Sequence, residues 1–201
     1  MKKLNIIIAL MTALFIVQSC GSSEVDNQKI EEINEIDEAA LMNLGDSITM
    51  HAQQVLISNV ANAMQEGGSI HAVDFCNVEA MTLTDSLSQL HGVSIQRVSD
   101  KNRNPENALA TDMDVGVWEK VKAAMASEAS SKQFLEEENG SYFYYKPIVI
   151  AMPTCLSCHG DKNDIDLATQ KLIAERYPED KAMGYQMGDL RGLWKVKFET
   201  P

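Results

Sequence analysis

The chain has 201 residues and carries 17 Lys plus Arg against 29 Asp plus Glu, a net charge of −12. That balance argues against nucleic acid as a partner, since a phosphate backbone selects basic surfaces. It reads as the solvated surface of one ordinary domain, and four cysteines make compartment the first question.

Lys2 and Lys3 precede a largely apolar run from Leu4 to Val17 that ends in Gln18, Ser19 and Cys20. This has the form of a secretory leader and is too short for a membrane span, which needs about 20 apolar residues. A cysteine directly after a small residue at the end of such a run has the form of a lipidation site, so residues 1–19 are read as a lipoprotein signal peptide. Cys20 then becomes a lipid-bearing N-terminus. Residues 20–28 form a polar tether suited to an anchored chain, and residues 29–201 form a single domain. The expected location is the periplasmic face of a bacterial membrane.

Ile30, Ile33, Ile36, Leu41 and Leu44 recur at helical spacing up to Gly45, which should interrupt the helix. A second helix from Asp46 buries Ile48, Val55, Leu56, Val60 and Met64 and ends at Gly67 and Gly68. A third starts at Ser69 and places Cys76, Ala80, Leu83, Leu87 and Leu90 on one stripe up to Gly92. Val93 to Ser99 is rich in β-branched residues and reads as a strand. Asn102 to Asn107, with Pro105, reads as a turn.

Val115 to Ala126 returns to helical spacing, and Glu136 to Gly140 reads as a charged turn. Ser141 to Met152 is apolar at both parities and predicts a strand buried on both faces, with Pro147 requiring an edge or a bulge. A loop carrying Cys155, Cys158 and His159 follows. A helix from Asp164 to Arg176 then closes at Tyr177 and Pro178. Trp194, Val196 and Phe198 alternate with Lys195, Lys197 and Glu199, which predicts a half-buried antiparallel strand. These elements describe an α+β domain in which helices flank a small antiparallel sheet.

An exported chain ordinarily pairs its cysteines, but here the spacing points elsewhere. Cys155, Leu156, Ser157, Cys158 and His159 spell CxxCH, the attachment pattern of a c-type haem. Two thiols within one turn of chain can bond both vinyl groups on one porphyrin edge while the adjacent imidazole reaches the iron. A zinc site would need a second ligand pair, and none is present. A dithiol redox site would open a helix within a βαβ unit, and no strand follows nearby. With Cys20 lipidated, only Cys76 is unassigned. It is either a buried small hydrophobe or a second iron ligand, with Met183, Met187, Met152, His71 and His91 as competing ligands. Arg191, in the glycine-bounded run from Met187 to Gly192, could pair with a haem propionate. Tyr142, Tyr144 and Tyr145 could line the pocket, while His51, His71 and His91 read as ordinary surface or core residues.

A set of short motifs runs through most of the chain in fixed order: Phe75-Cys76, Gly92-Val93, Arg103-Asn104-Pro105, Asn107-Ala108, Trp118-Glu119, Tyr145-Lys146-Pro147-Ile148, the run from Cys155 to Gly160, Gly184-Tyr185, and Gly188 to Gly192. Together they resemble the c-type-haem-binding, PAS-like domain family long catalogued as of unknown function. The resemblance implies a PAS-like α+β fold with N-terminal helices, here as a stand-alone lipoprotein. It further implies one covalent haem c, six-coordinate, with His159 and Cys76 as axial ligands. Members often serve as extracytoplasmic sensors, so the expected function is a redox- or gas-responsive haem module and not an enzyme. Its signal would pass to a redox or signalling protein partner, since no output domain follows. A periplasmic electron carrier is the alternative.

Overall fold

The computed structural model describes residues 37–127, 129 and 131–199. The leader, the tether with Cys20, and the part of the first expected helix up to Ile36 lie outside these residues. Among the described residues no helix is long and apolar enough to cross a membrane.

Helix α1 (Glu38–Val78) starts at Asp37, whose carboxylate accepts from the Ala40 N–H at 3.0 Å, a cap at the end where unpaired donors collect. Gly45 does not interrupt it. A β-carbon at Gly45 would run into the ring of Tyr144, so the glycine serves close packing and not a break. At Gly67 and Gly68 the backbone does leave helical geometry, as the glycine pair predicts, with Gly68 at φ +69°. The chain resumes its helix at once, making a kink instead of an end. The predicted stripe from Cys76 to Leu90 is broken at Glu79, where α2 (Ala80–His91) begins. Leu90 is consequently 68% exposed while Leu87 is buried. Gly92, at φ +65°, closes α2 in the left-handed conformation.

Strand β1 (Ser94–Val98) leads to a short 3-10 turn at Pro105–Asn107 and then to α3 (Asp112–Ala126). Helix α3 starts three residues before its apolar periodicity, because Thr111 and Asp114 form a reciprocal capping box. The predicted charged turn is mostly strand: β2 (Phe134–Glu138) and β3 (Ser141–Val149) are joined by Asn139 and Gly140 alone, both at positive φ. An Asn-Gly pair at positive φ suits a tight hairpin. The glutamates belong to an edge strand, where charge discourages further pairing.

Helix α4 (Pro153–His159) follows and carries the CxxCH motif, which was expected on a loop. Pro153 occupies the first helical position, where its missing N–H has no partner to lose. Helix α5 (Leu167–Arg176) is capped by Asp166, which accepts from the Thr169 N–H at 2.9 Å. The last strand is β4 (Leu190–Phe198).

The four strands form an antiparallel sheet in the order β1-β4-β3-β2. Pro147 is accommodated because β2 pairs only with Ser141 to Tyr145, leaving the second half of β3 an edge on that side. Beside it lies a bulge: Ile148 faces Gly192 while Val149 faces Leu190, so Arg191 is the extra residue. One face of the sheet packs Ile95, Tyr144, Trp194, Val196 and Phe198 against Ile48 and Ala52 of α1 and Leu87 of α2. The other packs Val98, Tyr145 and Leu193 against Val117, Trp118 and Val121 of α3. The last strand is thus buried on both faces and not on one. Lys195 is 9% exposed and bonds Asp114 at 2.8 Å, with Tyr145 donating to the same carboxylate at 2.8 Å. Burial pushes the Asp114 carboxyl up, but the bonds from Lys195 and Tyr145 outweigh it and hold the group below its ordinary value.

Candidate functional site

Cys155 and Cys158 sit three apart on α4 and therefore on one helical face. Both are half-buried, and among the described residues Cys76, Cys155 and Cys158 are all free thiols. Cys155 packs beside Ile150, Ala182 and Tyr185. Cys158 packs beside Val73, Ile165, Ile173 and Tyr177. Burial pushes the Cys158 thiol up to about 11, against the opposing pull of Arg103.

A seven-residue helix leaves most of its carbonyls without helical partners, and here its end is tied down from outside. Arg103 Nη2 donates to the Cys158 carbonyl at 2.7 Å, the Tyr185 N–H to the His159 carbonyl at 3.0 Å, and the Gly184 N–H to the Gly160 carbonyl at 2.7 Å. The guanidinium also offsets the negative end of the helix dipole.

The His159 ring is oriented from behind. Its Nδ1 lies 2.9 Å from the carbonyl oxygen of Ala182, which can only accept, so Nδ1 carries the proton. In the neutral ring Nε2 then holds the lone pair, the tautomer needed by a metal ligand. Burial keeps His159 well below the ordinary histidine range, and the nearby Arg191 and Arg103 cations push the same way. The edge of Tyr185 meets this ring at 6.2 Å between centroids and 88° between planes.

Arg103 connects these parts. It forks onto Asp180 at 3.1 and 3.2 Å and reaches the Ala182 carbonyl at 3.3 Å. Asp180 in turn accepts from the Ala182 N–H at 2.9 Å. Both side chains of the ion pair are nearly buried, at 10% and 7% exposure.

Cys76 lies one turn beyond Val73, the α1 residue that packs with Cys158, and α1 contacts both α4 and α5. Burial raises its thiol above the ordinary value, while Arg97, Arg103 and Arg191 act in the opposite sense. Cys76 and His159 therefore face two of the same guanidinium groups, Arg103 and Arg191. Four residues singled out in the sequence, Cys76, Cys158, His159 and Arg191, meet in one region with Cys155 alongside. Cys20 lies outside the described residues.

The competing ligands are placed differently. Met183 follows Ala182, whose carbonyl sits behind His159 on the Nδ1 side, and its own carbonyl accepts from Lys101 Nζ at 2.7 Å. Met152 and Met187 are 39% and 48% exposed. His71 pairs with Glu66 on the surface of α1, and His91 bonds His51 at 2.9 Å. Tyr144 bonds Asp46 and Tyr145 bonds Asp114, each within a main core cluster, so neither lines this region. Tyr142 packs with Tyr144 against the α1 cluster.

The aromatics at the site are Tyr177 and Tyr185. Arg97, Arg103, Tyr185 and Asp180 were not identified as site residues from sequence. Arg97 had a usable signal, since it shares parity with the buried Ile95 on β1 and so belongs to an inward face. Asp180 had none, being one acidic residue in a long irregular segment.

The family model described as Tll0287-like matches residues 23–198 of the chain. Among solved structures, the crystal structure of the cyanobacterial haem protein Tll0287 is similar, with a TM-score of 0.57 and 24% identity. The match covers 75% of this chain and 91% of that one, and at this identity it is a likeness of fold. Among curated proteins there is no match.

Proposed function

Because this chain belongs to the Tll0287-like family, we propose that it is a haem-binding domain with one haem c bonded to Cys155 and Cys158. His159 and Cys76 would hold its iron. The observation that carries this reading is the bond from His159 Nδ1 to the buried Ala182 carbonyl at 2.9 Å, which leaves Nε2 free for a metal beside the two thiols. The comparison with a solved haem protein of the same fold supports it.

The residues present suit the group. Cys155 and Cys158 share one helical turn, as attachment to one porphyrin edge requires. Arg191 is a buried cation with an unpartnered Nε, suited to a carboxylate. When bound, haem supplies a one-electron couple whose potential depends on its axial ligands. Cys76 as thiolate donates charge and lowers that potential, and the surrounding guanidinium groups make the thiolate less costly there. Arg103 and Asp180 hold the histidine in place through Ala182.

In this reading the protein is an exported module anchored by lipid at Cys20. It responds to redox state or a small gas through the Cys76 bond and passes the change to a protein partner. The leader pattern supports export, since c-type attachment takes place outside the cytoplasm. An electron carrier is the second reading, supported by the acidic balance of −12, which suits a basic redox partner.

Ferric and ferrous optical and paramagnetic-resonance spectra, with Cys76→Ala alongside, test the proposal on protein made in cells competent for cytochrome maturation. Covalent haem mass in both proteins, with a thiolate signature lost in Cys76→Ala, is the expected result. No Soret band and no added mass in the parent overturns haem binding. A thiolate signature that survives the substitution removes Cys76 as ligand. Partner binding that ignores ligand state, with fast electron exchange, selects the carrier over the sensor.

A further inference from the structure

Cations gather at the Cys76 and His159 site of a chain whose net charge is −12. Arg97, Arg103 and Arg191 all act on the Cys76 thiol, and Lys101 Nζ lies 4.2 Å from the centroid of the Tyr185 ring. Only Arg103 has a carboxylate partner, Asp180. Arg97 Nη2 makes two long contacts, to the Ala80 carbonyl at 3.4 Å and the Met81 sulfur at 3.8 Å. Arg191 Nη1 reaches Ser99 Oγ at 3.4 Å and the Lys101 carbonyl at 3.3 Å.

Among the described residues four buried side-chain polar atoms lack a hydrogen-bond partner, and three of them lie here: Arg97 Nε, Arg191 Nε and the Tyr185 hydroxyl. The fourth, Trp118 Nε1, belongs to the core under α3. Buried donors are nearly always satisfied, and a buried cation without a counter-charge is strongly unfavourable. Two guanidinium groups in this condition beside one site call for two anions.

The two groups have separate surroundings. Arg97 sits on β1 against the start of α2, and Arg191 sits beside Ser99, Lys101 and Tyr185, with its Cζ 5.6 Å from the Tyr185 ring centroid. Arg191 is also the extra residue of the β4 bulge, a device that re-aims a side chain out of the regular alternation. A strand without the bulge would have kept strict parity through Gly192 and Leu193.

We propose that Arg97 and Arg191 each bind one carboxylate of the ligand held between Cys76 and His159, with the Tyr185 hydroxyl completing the Arg191 subsite. This rests on the haem reading, in which the ligand is a dicarboxylate and the two groups are its propionates. Each guanidinium gains a charge-assisted bond for its idle Nε, and the pair neutralises both acids at once.

The test uses the full-length holoprotein: the parent, Arg97→Gln, Arg191→Gln, Tyr185→Phe, the charge-keeping Arg97→Lys and Arg191→Lys, and Trp118→Phe as control. Covalent haem is confirmed by mass. Resonance Raman bands of the propionate bending modes are then read with the reduction potential as a function of pH. Each Gln variant is expected to keep its haem, shift one propionate band, lower the potential and add a pH-dependent step around neutrality. Tyr185→Phe shifts the band that Arg191→Gln shifts, the Lys variants fall between, and Trp118→Phe matches the parent. Attached haem with parental bands and parental pH profile in both Gln variants overturns the proposal while leaving haem binding intact. Should the Gln variants not accumulate, unchanged bands in Tyr185→Phe and both Lys variants overturn it equally. A parent without haem overturns the haem reading and this proposal together.

Discussion

His159 and Arg103 bond to the same oxygen: the Ala182 carbonyl accepts from His159 Nδ1 at 2.9 Å and from Arg103 Nη2 at 3.3 Å. A carbonyl polarised by a guanidinium is a poorer acceptor for the imidazole, so Arg103 moderates how far the ring is pushed toward imidazolate. Through the Cys158 carbonyl the same side chain also fixes the helix that carries the ring.

Arg103→Ala removes the partner of a buried carboxylate and frees the Cys158 carbonyl. Breaking such a pair costs about 3–5 kcal/mol because the remaining charge is stranded. Urea unfolding is expected to show that loss, and adding Asp180→Leu is expected to recover part of it. An Arg103→Ala protein as stable as the parent removes the pair from the account.

Gly45→Ala drives a β-carbon into the Tyr144 ring, which is fully buried. A change that ordinarily favours a helix is here expected to destabilise by about 1–3 kcal/mol, the usual effect of overpacking. The urea midpoint should fall with the slope unchanged. A rise in midpoint means that Tyr144 can step aside.

Asp166 caps α5 and accepts from the Thr169 hydroxyl and N–H and from the Ser69 hydroxyl, which lowers its carboxyl to about 2 from 3.8. A depressed carboxyl stabilises the fold above its unfolded value, and that stabilisation fades as pH falls from 3.8 toward 2. The stability gap between the parent and Asp166→Asn should therefore close across that interval. Urea midpoints measured at stepped acid pH check it, and a gap independent of pH contradicts the assignment.

Met183→Ala tests Met183 against Cys76 as the second iron ligand. Met183 packs against the buried cluster that includes Ile173 and Tyr177, so its truncation is expected to cost about 2 kcal/mol. Its backbone adjoins the carbonyl behind His159, so the spectrum of the bound iron should not change. Loss of the parental coordination spectrum in this variant assigns the ligand to Met183.

Some misreadings of the elements share a cause. Gly45 and the glutamates of β2 carry weak local preferences, and a neighbour distant in sequence settles each one. Tyr144 needs the space at Gly45, and β3 pairs with the glutamate-bearing strand. Lys195 looked solvent-facing by alternation, yet Asp114 of α3 covers it. The α4 helix was hidden because Pro153 and seven residues give no measurable periodicity.

What the amino-acid order settles by itself is covalent and local: the CxxCH spacing, the departure from helical geometry at Gly67 and Gly68, and the α+β alternation. Each depends on residues within a few positions of one another, where geometry follows from the chain. The company that Arg97, Arg103, Asp180 and Tyr185 keep with Cys76 and His159 was decided only by tertiary structure. A buried cation is tolerable or ruinous according to the charges that folding brings beside it, and those come from segments up to about a hundred residues apart.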